Sequence, residues 1–263
     1  MSFRNLVEMD KLDRWINTYA TQSFRDQADR DYITARLACR YELFPQFLWA
    51  SQQAIVKYLK AILLYNRIVA KDVNHDLNVA LALTQKLSFP IDLSDRTRKF
   101  LAHLAEVGEY RYIDVPYDLE GHLLVDLDLA VWELRRYCQV LNVFGKKLPP
   151  EEQSLLDKAQ ADLAKSASEP RHRFRIHGGL IEKMLSDPKH PSRSALLWQN
   201  ATYGVRFRST VRIKPHFHCE NSMLYLYPEM LDELLKYIKI SNKLVKGYRA
   251  LLDHFKTNPE ARP

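Results

Sequence analysis

PQFLWASQQAIVKYLKAILLYN, residues 45–66, is the stretch that decides the fold. Apolar residues recur at three- and four-residue spacing: Phe47, Leu48, Ala54, Ile55, Tyr58, Leu59, Ile62 and Leu63 share one side, while Gln52, Lys57 and Lys60 fall on another. That period belongs to an amphipathic helix, and Pro45 suits its first turn, where a missing N–H costs little. The preceding run RDYITARLACRYELF, residues 30–44, carries the same spacing and predicts a second helix packed against it.

Outward from this pair the pattern stays helical. A helix is expected from Asp76 to Leu87, with Asn74 or His75 near its cap and Pro90 as its stop. Another runs from Ser94 or Asp95 to Gly108, and the segment EYRYIDVPYDLEG that follows reads as a loop. HLLVDLDLAVWELRRYCQVLNVF, residues 122–144, predicts one long helix ending at Gly145, and LPPEEQ opens a further helix to about Ala167. Composition agrees: the chain of 263 residues has 7 glycines, where a share of roughly 7% would give about 18, leaving few positions for hairpin turns or phosphate-cradling loops. Three separated cysteines, Cys39, Cys138 and Cys219, suggest neither a disulfide framework nor a zinc ribbon and read as reduced thiols. With no apolar signal-like run at the start and no long uncharged apolar window, the expectation is a cytoplasmic protein without a membrane span.

Charge is not spread evenly. The formal net charge of +7 divides, after Gly145, into 18 basic against 19 acidic residues and then 21 against 13. Between Arg171 and Lys214 ten basic residues face only Glu182 and Asp187, the balance of an anion or nucleic-acid surface or of a solvated basic face. Within that window VRFRSTVRIK alternates with period two: Val205, Phe207, Val211 and Ile213 against Arg206, Arg208, Thr210, Arg212 and Lys214. Alternation predicts a strand, with SMLYLYP as its partner in a short ribbon. A last helix is expected from Pro228, bending or breaking near Ser241–Asn242. The fold class is therefore mainly α, a helical bundle over 1–148 and a basic C-terminal region over 149–263 carrying helix, short strands and a closing helix. The two regions either form separate domains or pack as one unit.

The stretch from Arg36 to Asn66, followed by NHDLNVALALTQKL, resembles the HEPN domain family. The residues that carry the resemblance are Gln52, Gln53, Ala54, Lys57, Tyr58, Leu59, Lys60 and Ala61 on one helix and His75, Asp76 and Leu77 at the start of the next, with YRYIDVPYD similar to the loop before the family's closing helix. It spans about residues 30–145. The resemblance implies an antiparallel bundle, often a homodimer, in prokaryotic defence or toxin–antitoxin settings with an antitoxin or nucleotidyltransferase partner. It also implies RNA or nucleotide binding and, in many members, metal-independent ribonuclease activity from an Arg and a His with four to six residues between them. A guanidinium stabilises phosphate charge while an imidazole moves the proton of a 2′-OH. Near Arg111 the required offsets hold Pro116, Tyr117 and Asp118, and Arg67 precedes His75 by too many residues. Arg171 and His177 have the required spacing, outside the resembling segment.

Arg171 and His177 are thus the candidate catalytic pair of an endoribonuclease, and Arg173, Arg175, Arg206, Arg208, Arg212 and Lys214 the candidate nucleic-acid contacts, with Phe174 or Tyr203 to stack on a base. In PHFHCE, His216, His218, Cys219 and Glu220 lie close together, but a third ligand is not evident and no metal or cofactor is expected. Walker, HExxH and nucleophile-elbow motifs are absent from the sequence. Two functions remain in view: an RNA- or nucleotide-binding protein, and a non-catalytic module that pairs with itself or with an acidic partner.

Overall fold

The computed structural model describes residues 3–107, 117–119, 121–144, 148–204, 208–212, 217–219 and 223–262, and its chain falls into two units, residues 1–108 with 122–214 and residues 109–121 with 215–263. Residues 149–214, grouped by sequence with the C-terminal region, lie in the first of these.

The first unit is built around helix α3 (Phe44–Tyr65), which has proline in its first turn. Its neighbours are α1 (Phe3–Tyr19), α2 (Asp26–Arg40), α4 (Leu77–Leu83), α5 (Asp95–Val107) and α6 (Leu123–Arg135). The expected apolar face of α3 is buried, from Phe47 and Leu48 through Tyr58 and Leu59 to Ile62 and Leu63. The polar face differs from expectation: Gln52 is buried, as are Ser51 and Gln53. Helices pack round most of α3; Gln46 and Trp49 near its start are exposed and Lys57 and Lys60 partly open, with Lys57 paired to Asp31 and Lys60 donating to the Asn74 carbonyl.

Local chemistry explains the ends. Asp76 caps α4 by accepting from the amides of Asn78 at 2.9 Å and Val79 at 3.1 Å, one residue after the expected cap. Ser94 Oγ accepts from the Thr97 amide at 3.2 Å at the start of α5. Helix α6 stops at Arg135, well before Gly145. The residues beyond it, Val140, Asn142, Val143 and Phe144, are weak helix formers, and Arg136 turns away to donate to the Asp92 carbonyl at 2.8 Å. Helix α7 (Pro150–Lys165) opens at the expected proline, and α8 (Leu180–Ser186) and α9 (Arg193–Leu197) are short.

Two buried ion networks tie these last elements to the bundle. Arg36 pairs with Asp128 and donates to the carbonyls of Ala195, at 3.0 Å, and Trp198. Asp128 also accepts from Tyr32 Oη at 2.6 Å and the Ala201 amide at 2.8 Å. Arg135 donates to Asp29 at 2.7 and 2.9 Å and to both oxygens of Glu182 at 2.7 Å, while Tyr58 Oη donates to Asp29 at 2.7 Å. Every charge taken out of water here is matched, as buried charges must be.

The second unit contains a three-residue antiparallel ladder, β1 (Tyr117–Leu119) with β2 (Phe217–Cys219), in the register Tyr117 opposite Cys219. It continues in α10 (Met223–Leu226), α11 (Leu231–Leu234) and α12 (Asn242–Thr257), which gather Leu224, Leu231 and Tyr248 into a small core. Among the described residues VRFRSTVRIK and SMLYLYP form no ladder; residues 205–207, 213–214 and 222 lie outside them. Met223–Leu226 is helical because Leu224 enters that core. In the first unit, the amides of Val211 and Arg212 find side-chain acceptors, His122 Nδ1 at 3.4 Å and Gln199 Oε1 at 2.7 Å, where a strand partner would have stood. The closing helix is interrupted between Leu234 and Asn242, and Ser241 Oγ caps the second part by accepting from the Leu244 amide at 3.3 Å.

Candidate functional site

Between α1, the end of α3 and α7, the first unit opens into a cleft of about 970 Å³. The chain reaches it through an unusual turn. Residues Ala20–Arg25, joining α1 to α2, form a π-helix, in which i→i+5 bonding rotates side chains off the regular α register. Thr21 Oγ1 donates to the Asn17 carbonyl at 2.8 Å and meets Tyr65 Oη at 2.6 Å, fixing this turn against α3. Thr21, Arg25 and Tyr65 all line the cleft.

Most charges on its walls are matched. Arg67, at φ +56° in the loop after α3, donates to Asp13 Oδ1 at 3.0 and 3.1 Å and to Asn17 Oδ1 at 2.9 Å, with its guanidinium 5.4 Å from the Phe144 ring centre. Arg14 pairs with Glu152 at 2.8 Å, and Glu182 with Arg135. Burial pushes the Glu182 carboxyl up, but Arg135 and the Ile176 amide outweigh it and hold it below the usual glutamate range. Burial raises the Tyr65 phenol, with the nearby Arg25 charge acting against that rise. Lys158 and Arg175 line the same cleft, are exposed, and form no ion pair among the described residues. Asp162 also lines it and forms no ion pair there.

The residues singled out by sequence divide. His177 and Arg175 stand on the cleft wall, on the loop before α8. Arg171 does not line it: this half-buried residue lies in a 3-10 turn with its guanidinium 5.5 Å from the Trp132 ring centre, and its carbonyl accepts from Trp132 Nε1 at 3.1 Å. Burial draws the Arg171 guanidinium below its usual range. Arg136 faces the same indole at 4.8 Å, so Trp132 has two cations within cation–π reach. Arg173, Arg208 and Arg212 are exposed, while Arg206 and Lys214 lie outside the described residues. Phe174 packs edge-on to Trp132. Tyr203 does not offer a stacking face: it is buried, with its ring against Tyr32.

Arg25, Tyr65, Arg67 and Lys158 are cleft residues that periodicity did not single out. They come from separate elements and acquire a common position only when α1, α3 and α7 converge; the local signal was at most a threonine and an arginine four residues apart. His216 and Glu220 lie outside the described residues, and among those described no group of three or more His, Cys, Asp or Glu is placed to hold a metal ion. No helix among the described residues is long and apolar enough to cross a membrane.

No curated protein and no solved structure matches the chain. A family model described as HEPN domain does, starting within the π-helical turn and ending just before α6. Across residues 21–122 the chain carries a match to the HEPN domain family.

Proposed function

We propose that the protein is an RNA- or nucleotide-binding HEPN-type module, in a defence or toxin–antitoxin setting, whose cleft and adjacent basic segment hold a phosphate-bearing ligand. The observation that carries this reading is the cleft wall: Arg175 and His177 share it with Lys158, Arg25 and the aromatic Tyr65 and Phe144. Cations attract phosphates at long range, while an aromatic face gives a base somewhere to rest. The size falls within the roughly 300–1,000 Å³ of small-molecule sites. Arg173, Arg208 and Arg212 extend the positive surface, and Arg206 and Lys214 belong to the same proposal. An antitoxin or nucleotidyltransferase is the partner this setting implies.

The test is a fluorescence-anisotropy titration of a labelled single-stranded RNA, repeated across a salt series. Affinity should fall steeply with salt. Replacing Arg173, Arg175, Arg208 and Arg212 together by Ala should reduce the log–log slope by up to about 3, at roughly 0.7 per phosphate contact on a single strand. A flat salt response in the unmodified protein would refute the reading.

Two alternatives have their own observations. His177 is exposed on the cleft wall, as a proton-transfer group in a metal-independent endoribonuclease must be, whereas Arg171 is engaged with Trp132. RNA cleavage in EDTA that disappears in His177→Ala would favour that enzyme; cleavage unaffected by the substitution removes His177 from the mechanism. Leu12, Trp15 and Tyr19 are exposed at helical spacing on α1, which suits the non-catalytic module that pairs with itself or a partner. A sample that binds no RNA or nucleotide and whose oligomeric state changes in Trp15→Ala would favour that alternative.

A further inference from the structure

Arg25 is a buried cleft residue most of whose donors the protein leaves unused. Only 5% exposed, it makes one described hydrogen bond, from Nε to Asp26 Oδ1 at 3.1 Å. Neither Nη1 nor Nη2 has a protein partner among the described residues, and the side chain lines the cleft. Arg67, on the same cleft, is the contrast: its guanidinium is filled by Asp13, Asn17 and three main-chain carbonyls. The Arg25 Nη groups are not among the polar atoms shut off from water without a partner, so they open onto the cleft, and any acceptor they find there comes from outside the chain.

The setting narrows what that acceptor is. Arg25 ends the π-helical turn, a rare geometry found often at functional sites, and Thr21 and Tyr65 hold that turn in place. Two parallel N–H groups of a guanidinium match two oxygens of a phosphate or carboxylate. Carboxylates of the lining offer little competition: Asp13, Glu152 and Glu182 are already paired with Arg67, Arg14 and Arg135, leaving Asp162. Lys158 and Arg175 are free to add charge.

We infer that Arg25 is the anchoring seat of the cleft for a phosphomonoester, borne either by a free mononucleotide or by the 5′ end of an RNA. This deepens the proposed function and rests on it. The phosphate is bound by the fork of Arg25 at the cleft floor, and the nucleoside lies toward Phe144.

Isothermal titration of the full chain with adenosine 5′-monophosphate, adenosine, and one short RNA with either a 5′-phosphate or a 5′-hydroxyl distinguishes the cases. The phosphorylated form of at least one pair should bind tenfold or more tightly than its unphosphorylated counterpart, and Arg25→Gln should erase that difference without weakening the counterpart. The pair that shows the effect identifies the source of the phosphate. Asn17→Asp provides a variant that keeps the acceptor for Arg67 but adds a negative charge to the wall; it should narrow the same difference even where Arg25→Gln fails to fold. Equal binding with and without the phosphate overturns the inference, as does a preference that Arg25→Gln and Asn17→Asp leave intact. If RNA still binds with a salt dependence set by Arg208 and Arg212, the proposed function survives that failure; if neither RNA nor nucleotide binds at all, both fall.

Discussion

Arg135→Met should be among the most damaging single changes in the first unit. The arginine is 2% exposed and is the shared counterion of Asp29, which is fully buried, and Glu182. Methionine fills much of the volume but leaves two buried carboxylates without a counterion, with neutral donors such as the Tyr58 hydroxyl and the Ile176 amide. Breaking a buried pair by removing one partner costs about 3–5 kcal/mol, a large share of the roughly 5–15 kcal/mol that holds a domain together. For a unit of this size that is about 6–20 °C in the melting temperature. Glu182→Gln should cost far less, on the order of 1–2 kcal/mol, because Asp29 and Arg135 remain a neutral pair. The pH dependence has a definite sign. In the unmodified protein Glu182 lies below its ordinary value, so its contribution is complete above the unfolded pKa of about 4.3 and is lost as pH falls through the lower folded value. Without Arg135, burial is the largest influence left and raises Glu182, so acid then favours the folded variant. The stability gap between the two proteins should therefore narrow on acidification. Urea or thermal melts followed by circular dichroism measure this; a gap that widens below pH 5, or an Arg135→Met loss no larger than that of Glu182→Gln, would refute the reasoning.

Gly179→Ala should reproduce part of the same damage, because a Cβ there would lie 2.0 Å from Glu182 Oε2 and 2.9 Å from Arg135 Nη2. Its melt should resemble a broken Arg135–Glu182 pair, and loss of its effect in a Glu182→Ala background checks that origin. The neighbouring Gly178→Ala meets no atom within 4 Å and is penalised by φ +66° alone, at about 1–2 kcal/mol, readable as a small shift in the same melts. Burial pushes the Cys39 thiol up to about 12 and the Cys138 thiol higher still. Mass-spectrometric mapping after iodoacetamide treatment near neutral pH should find both unmodified in the folded protein and both labelled in urea. Asp128→Ala strips Arg36 of its buried counterion and Tyr32 of its acceptor, and should cost about 3–5 kcal/mol by denaturant titration; a cost below about 1 kcal/mol would mean the site relaxes or admits water.

Helix α3 shows how far periodicity carries. Its start at the proline and its apolar face are set by residues three and four apart, and each such preference acts within a turn or two of chain. The same rule placed Gln52 outward, and the structure buries it, because the neighbouring helices cover most of α3 beyond its first turns. Helix α6 was expected to reach Gly145 and ends at Arg135, where a side-chain bond to the Asp92 carbonyl competes with the next turn. Period two in residues 205–214 does not by itself supply a partner strand, and Leu224 and Tyr225 of SMLYLYP belong to another core. The HEPN resemblance was legible for a similar reason, since the residues that carry it lie close together in the chain, within the residues 21–122 that match the family.

By itself the sequence determined that this is a mainly helical chain, that its positive charge is concentrated after residue 170, and that its central helices resemble a known family. Those are properties of composition and of contacts within a few residues. The cleft was decided by tertiary structure alone: Arg25, Arg67, Lys158 and His177 are far apart in the chain and meet because α1, α3, α7 and the loop before α8 converge. Tertiary structure also decided which charges are available to a ligand. Arg36 and Arg135 look like any other basic residues in the sequence, and only burial against Asp128, Asp29 and Glu182 makes them internal counterions, while Arg25, paired through Nε with Asp26, has no partner for its two Nη groups among the described residues and lines the cleft.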